Sequence, residues 1–253
     1  MLKSEKMKSV KKYVAGFAGL VLTGMALVSC QKTFDEKISQ QLNFNSSSIV
    51  QVYNGTLNAT RNYVYVDSKP VNGAAIAYGA VFPATGYGFS VPIGLKAFLI
   101  RDTLTATTQT QMSFAQNMQG GKNYTIFMFD TITAAKQKTV ETPIVIPGDT
   151  TARVRFANFV YSRNIIPAVD VFSKKRNQNV FTNVNVTDVT SFIPYASDLT
   201  DTLSLRATGT TTEIVALNGF TPRAKRSYTV IFRGRYENTT GTVARTVSTF
   251  ANY

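Results

Sequence analysis

Few groups in this chain are equipped for chemistry. It has no histidine and no tryptophan, and Cys30 is its single cysteine. Without histidine, neither a Ser-His-Asp nor a Cys-His nucleophile can be assembled, and most zinc sites lose their usual ligands. A lone cysteine cannot close an intramolecular disulfide, so Cys30 is either a free thiol or a point of attachment. Its position gives the second reading content. Lys3, Lys6, Lys8, Lys11 and Lys12 form a positive region, and an apolar run from Val14 to Val28 ends just before Cys30. That run is shorter than the roughly 20 apolar residues a spanning helix needs, and the order of regions reads as a signal peptide.

The other candidates are carboxylates, hydroxyls and cations. Asp198 and Asp201 are the nearest cluster to a glycosidase-like carboxylate pair, whose placement would be fixed by fold rather than by spacing. They read better as a loop before a strand, so no catalytic residue is assigned and no enzyme is expected. No Asp-x-Asp-x-Asp-Gly string marks a calcium loop, and neither a metal nor another cofactor is expected. Asp102-Thr103-Leu104, Asp130-Thr131-Ile132, Asp149-Thr150-Thr151 and Asp201-Thr202-Leu203 resemble the O-glycosylation sequon of some Gram-negative envelope proteins. The resemblance makes Thr103, Thr131, Thr150 and Thr202 candidate acceptors. Asp-Thr is equally what strand entrances look like in a threonine-rich β-protein.

Two basic clusters stand out. Lys174-Lys175-Arg176 follows a strand and is expected to tip a hairpin, while Arg223, Lys225 and Arg226 precede Tyr228 at a module end. Together these six would form a cationic end suited to an acidic glycan or lipopolysaccharide. Tyr78, Tyr87, Tyr161 and Tyr195 are the tyrosines in or near loops on which a sugar would stack, and each also reads as a core or rim aromatic. The whole chain carries 27 basic and 14 acidic side chains, a net charge of +13. The excess survives removal of the signal region, and the part after Pro147 is the more basic. Such a surface attracts anionic partners over a range of about 8 to 10 Å in salt, or serves only solubility. No nucleic-acid motif is present, and no nucleic-acid partner is expected.

The elements that must position these groups are strands. Val, Ile, Thr, Tyr and Phe are prominent after Cys30 and long helical periodicities are absent, which is an all-β composition. A repeat organises it. Val50-Gln51-Val52-Tyr53-Asn54 matches Val154-Arg155-Phe156-Ala157-Asn158, and Asn123-Tyr124-Thr125-Ile126 matches Ser227-Tyr228-Thr229-Val230, each pair 104 residues apart. Tyr63-Val64-Tyr65-Val66 parallels Ala168-Val169-Asp170-Val171. Ser90-Val91-Pro92 parallels Phe192-Ile193-Pro194 at a slightly different offset, which predicts loop insertions. Asp201 to Thr208 alternates, with Leu203, Leu205 and Ala207 on one face and Thr202, Ser204, Arg206 and Thr208 on the other, the pattern of a half-buried antiparallel strand, and Arg153 and Arg155 alternate with Val154 and Phe156. Turn signals such as Gly120-Gly121 and Asn218-Gly219 leave about seven short strands per module, which a two-sheet sandwich satisfies. Thr139 to Ile146 and Val243 to Phe250 are the expected last strands, and Tyr124 and Tyr228 are either tyrosine corners or plain core aromatics.

The expected organisation is a signal peptide over 1–29, the modified Cys30 with a flexible tether over 30–47, a first β-sandwich module over 48–146, a linker over 147–151 and a second module over 152–253. Within the tether, Phe34, Ile38 and Leu42 would also suit a short docking helix.

Two resemblances add to this reading. Leu27-Val28-Ser29-Cys30 resembles the lipobox of bacterial lipoproteins, which implies that the thiol takes a diacylglycerol and that cleavage makes Cys30 the first residue; an ordinary cleavage near Ser29 would leave a free thiol instead. Two or three acyl chains hold a soluble body on a membrane, at about 0.8 kcal/mol per buried methylene. Gln31 is not Asp, which under the Gram-negative sorting rule implies the outer membrane, on its periplasmic or cell-surface face. Further on, Val-x-Val/Phe-x-Asn, Pro167-Ala168-Val169-Asp170-Val171, Tyr87 with Val91-Pro92-Ile93-Gly94, and Gly121-Lys122-Asn123-Tyr124-Thr125 together resemble a bacterial domain family of unknown function. Its members are secreted or lipid-anchored, often tandem, and expected to be immunoglobulin-like. The resemblance implies a non-catalytic envelope lipoprotein that binds a glycan or a partner protein; the alternative is a structural subunit of a pilus-like or envelope assembly.

Overall fold

A computed structural model describes residues 44–85 and 88–253. The signal region, Cys30 and the tether up to residue 43 lie outside the described residues, as does Tyr87. Phe44–Ser46 form a 3-10 turn and Ser47 is already the first residue of a strand, so positions 44–47, expected as tether, have regular structure.

The described residues form strands and no α-helix. In the first half these are β1 (Ser47–Asn54), β2 (Tyr63–Val66), β3 (Lys69–Pro70), β4 (Val81–Phe82), β5 (Phe89–Pro92), β6 (Gly94–Arg101), β7 (Met112–Met118), β8 (Asn123–Phe129) and β9 (Lys136–Glu141). In the second half they are β10 (Ala152–Asn158), β11 (Val169–Ser173), β12 (Gln178–Val184), β13 (Ile193–Tyr195), β14 (Asp201–Ala207), β15 (Glu213–Phe220), β16 (Ser227–Arg233) and β17 (Thr246–Ala251). The fold is an all-β sandwich.

One strand order occurs twice. Sheet β3-β2-β6-β7 has its counterpart in β12-β11-β14-β15, and β4-β1-β8-β9, with β5 also on β1, has its counterpart in β13-β10-β16-β17. The ladders are antiparallel except at the centre of the second kind of sheet, where β1 runs parallel to β8 and β10 parallel to β16. A parallel pair needs a long crossover. Here the chain leaves β1, builds the opposite sheet and returns as β8.

The registers are also shared: Val50 faces Tyr124 and Val154 faces Tyr228. They correct one expectation. Val91 pairs with Ser48 and Tyr195 pairs with Ala152, so these positions too are 104 residues apart, while the expected loop insertions fall around the opposite sheet, where Val64 faces Ile100 and Val169 faces Ala207. Pro92 and Pro194 occupy different places on their strands, Pro92 facing Ser47 and Pro194 facing Arg153, so the two prolines are not equivalent. The last strands also differ from expectation. β9 stops at Glu141 because Pro143 cannot donate to a ladder, which leaves Val145 and Ile146 exposed. β17 starts later than Val243, at Thr246.

Three apolar clusters lie between the sheets. One lies between the sheets of the first half, around Val52, Phe98 and Ile126, and another between those of the second half, around Phe156, Leu205 and Phe232. The third lies between the halves and is built from Tyr53, Phe127, Ala157, Phe159, Ile231 and Phe250. Tyr53 stacks on Phe250 at 5.3 Å and Phe127 on Phe159 at 4.7 Å. Residues 45–253 are accordingly one compact unit. Along β1, β8, β10 and β16 alternate side chains therefore face two different cores, and both faces are buried.

Arg155 shows what this changes. The alternation Arg153-Val154-Arg155-Phe156 suggests a solvent-facing arginine, but Arg155 is 2% exposed. Its Nε donates to Thr229 Oγ1 at 2.9 Å, and its Nη2 donates to Thr125 Oγ1 at 3.0 Å and Thr142 Oγ1 at 3.1 Å. Burial pushes its guanidinium down to about 9, so it remains charged at neutral pH. The network continues from Thr229 to Asn252 and from Asn252 to Gln51, which ties the second half to the first. Gly79, at φ +78°, adds to the seam: a Cβ there would lie 2.6 Å from the Arg233 guanidinium.

The repeated asparagines are structural. Asn54 and Asn158 are fully buried at the ends of β1 and β10. Asn54 Nδ2 donates to the carbonyls of Ala59 and Ile76, and Asn158 Nδ2 to that of Val184, so each pins a segment beyond its own strand.

Candidate functional site

Lys174, Lys175 and Arg176 form the turn between β11 and β12, beyond the Ser173–Gln178 pair, as the sequence predicts. Their backbone is fixed by Asp201. The sequence reads Asp198 and Asp201 as carboxylates of the loop before a strand and the alternation as starting at Asp201; Asp201 does open β14, and its carboxylate is buried. Its carboxylate accepts from Ser173 Oγ, from Tyr195 OH at 2.5 Å, from Lys175 N–H at 2.9 Å and from its neighbour Thr202 N–H at 2.6 Å. Burial alone would raise the Asp201 carboxyl, but the bonds from Ser173 and Tyr195 and the two backbone N–H groups hold it below the usual carboxylate range. Burial and then the bond to Asp201 push the Tyr195 hydroxyl upward, so it stays protonated and donates. Asp201 is committed to positioning. Asp198 stays exposed, in a positive-φ turn whose N–H donates to Pro222 O at 2.8 Å.

A row of aromatics joins this turn to the second basic cluster. The Arg176 guanidinium lies 4.1 Å from the centre of the Tyr195 ring. Tyr195 meets Phe220 at 5.7 Å, and Phe220 meets Tyr228 edge-on at 6.0 Å. Tyr228 OH then accepts from Arg223 N–H at 3.1 Å, the back-bond of a tyrosine corner. Tyr124, its counterpart, packs in the core of the first sandwich. Arg223, Lys225 and Arg226 occupy the β15–β16 connection, so both clusters lie at one end of the second half. Lys225 N–H donates to Thr151 O at 2.9 Å and Ser197 Oγ to Thr150 O at 2.6 Å, which draws in the linker and the β13–β14 loop.

The six cations are not equivalent. Lys174 pairs with Glu213 at 3.1 Å, and the Ser204 hydroxyl with Lys174 holds that carboxyl down. Arg176 is spread over Tyr195, and Arg226 lies over Tyr253 at 5.1 Å. Lys175, Arg223, Lys225 and Arg226 are exposed, and among the described residues none of them forms an ion pair. A concentration of unneutralised charge on one end supports long-range attraction of a polyanion.

The remaining candidates separate. Thr103 and Thr150 are exposed in loops. Thr131 is half-buried in a bridge to Leu57, and Thr202 is half-buried within β14. Arginines cover three of the tyrosines: Arg233 lies over Tyr78, Arg235 over Tyr161 and Arg176 over Tyr195. Sequence reasoning missed that Asp201 and Phe220 order the basic end. A signal for Asp201 was present, since it shares the alternating face of Leu203 and Leu205, both fully buried. No protein-family model and no curated protein matches the chain.

Proposed function

We propose that this is a non-catalytic lipoprotein of the outer membrane, anchored through Cys30, whose basic end binds an acidic glycan. The observation that carries the reading is the group Lys175, Arg223, Lys225 and Arg226, exposed together on one end without a carboxylate partner among the described residues. Tandem immunoglobulin-like modules over 48–146 and 152–253 belong to this proposal, supported by the repeated strand order and the offset of 104. The experiment is binding of the intact protein to polygalacturonate and to lipopolysaccharide, with neutral dextran as the control, across a range of salt. Binding of the anionic polymers that falls steeply with salt is expected. Equal binding to dextran, or none to either polyanion, overturns it, and capture of an envelope protein through the same residues would reassign the ligand. Labelling of the thiol by a fatty-acid probe, lost in Cys30→Ser, tests the anchor.

The structural-subunit alternative rests on one observation. β1 lies between β8 and the β4 and β5 segments, so cleavage after Arg61 would remove the middle strand of a sheet and leave a slot for a donated one. Protein that stays monomeric after mild trypsin treatment would count against it.

A further inference from the structure

We infer that the seam between the two halves holds a second binding site, for a monocarboxylate carried on a small apolar body. A groove of about 520 Å³ opens there, a size suited to a small molecule. Its walls are Val140 and Val145 from the end of the first half and Val189 and Phe192 from the second, and Arg155 lines it from below. Arg155 carries the argument. It is an arginine only 2% exposed, and no carboxylate pairs with it among the described residues.

Three of its five N–H donors go to threonine hydroxyls through Nε and Nη2. The guanidinium carbon also lies 5.7 Å from the centre of the Phe127 ring and 4.8 Å from that of Phe192. Such a charge on the lining of a groove has no carboxylate partner among the described residues.

The surroundings choose the partner. The Phe192 ring lies 4.8 Å from the guanidinium carbon and forms an apolar wall beside it. At the rim, Arg153 adds one positive charge and Glu141 one negative charge, and Glu141 is held by Lys122 at 2.7 Å. With Glu141 committed to Lys122, Arg155 and Arg153 leave the groove positive. It fits a carboxylate, and the valines and Phe192 fit an alkyl or apolar side-chain body. This site is separate from the basic end, which attracts polymers by many exposed charges.

The test is calorimetric titration of the intact protein at neutral pH with octanoate and with N-acetyl-Leu-Leu, each beside its uncharged amide. The two carboxylates separate a fatty-acid source from an apolar peptide end. At least one of them is expected to bind ten times or more tighter than its amide. Val145→Glu, at a position 60% exposed on the groove wall, is expected to weaken that binding at least fivefold while leaving the melting temperature unchanged. Arg155→Lys should weaken it too, and Val145→Glu keeps the test decisive if that variant fails to fold. Equal affinity for carboxylate and amide, no binding of either carboxylate at millimolar concentration, or indifference to Val145→Glu overturns the inference. Neutralising Arg223 and Arg226 should leave octanoate binding intact, so this result and the glycan result can fail independently.

Discussion

The corresponding ends of the two halves share a backbone and differ in charge. At structurally matched positions the first end has Gln119, Gly121 and Lys122 where the second has Arg223, Lys225 and Arg226, and Gly94 where the second has Asp201. Lys122 is neutralised by Glu141 at 2.7 Å, on the residue that faces Tyr124. In the second half Ala251 faces Tyr228, and Arg226 has no such acid. The fold therefore does not dictate a basic end. It is made by a few side chains added to a turn that the first half keeps small and neutral, around a buried carboxylate that the first half does not need.

The largest test of that contrast removes the carboxylate. Asp201→Ala should cost about 3 kcal/mol in urea unfolding, because Ser173, Tyr195 and the Lys175 N–H lose a charged acceptor while buried. Polyanion binding should fall with it as the turn at 174–176 loosens. The Asp201 carboxyl sits below its unfolded value, so its contribution is present above about pH 4 and is lost as pH falls through the lower folded value. Wild type should then lose stability more steeply than Asp201→Asn on acidification below about pH 4. Parallel acid-unfolding curves would show that Asp201 is not the organising charge.

Much of this was legible in the chain, and the parts that were not have physical causes. The all-β sandwich and the hairpin tipped by Lys174–Arg176 followed from alternation and turn residues, which report local geometry. Arg155 was not readable, because a strand buried on both faces by a neighbouring sheet keeps the period of a half-buried one, and polar Thr125, Thr229 and Arg155 imitate a wet face. The strand that starts at Asp201 was legible from its alternation, but the burial of its carboxylate was not, because an Asp at a strand entrance resembles a loop residue until its hydrogen-bond donors are known. That the two basic clusters form one cationic end was expected from the sequence; the contacts that join them, Tyr195 on Phe220 and Phe220 on Tyr228, were not readable, because they depend on strands of different sheets meeting.

A smaller effect is expected from charge alone. Arg223→Gln with Arg226→Gln should weaken polygalacturonate binding by about tenfold at low salt, or roughly 1.4 kcal/mol, and flatten its salt dependence. Folding stability should hardly change, since both side chains are exposed. Unchanged affinity would move the ligand off this end. Lys225 offers a finer comparison, because it takes φ +60° where Gly121 takes φ +71°. A lysine in that left-handed conformation costs on the order of 1 kcal/mol that glycine avoids. Lys225→Gly should raise stability by about that amount and lower polyanion affinity a few-fold, a trade of stability for charge. A destabilised variant, or one with full affinity, would break it.

The smallest expected effect comes from moving the neutralising acid across. Ala251 is exposed and occupies the place of Glu141, so Ala251→Glu should pair with Arg226 as Glu141 pairs with Lys122. Exposed pairs contribute about 0.2 to 1 kcal/mol, and here Arg226 must leave Tyr253, so the net change in stability should stay within about 0.5 kcal/mol. Polyanion affinity should drop two- to threefold at low salt and recover the wild-type value at high salt, where the introduced charge is screened. The reciprocal Glu141→Ala frees Lys122 but supplies neither the other cations nor the aromatic row, and should create no binding at the first end. A gain of binding there would mean that loose positive charge suffices and that the ordered end of the second half is not what selects the ligand.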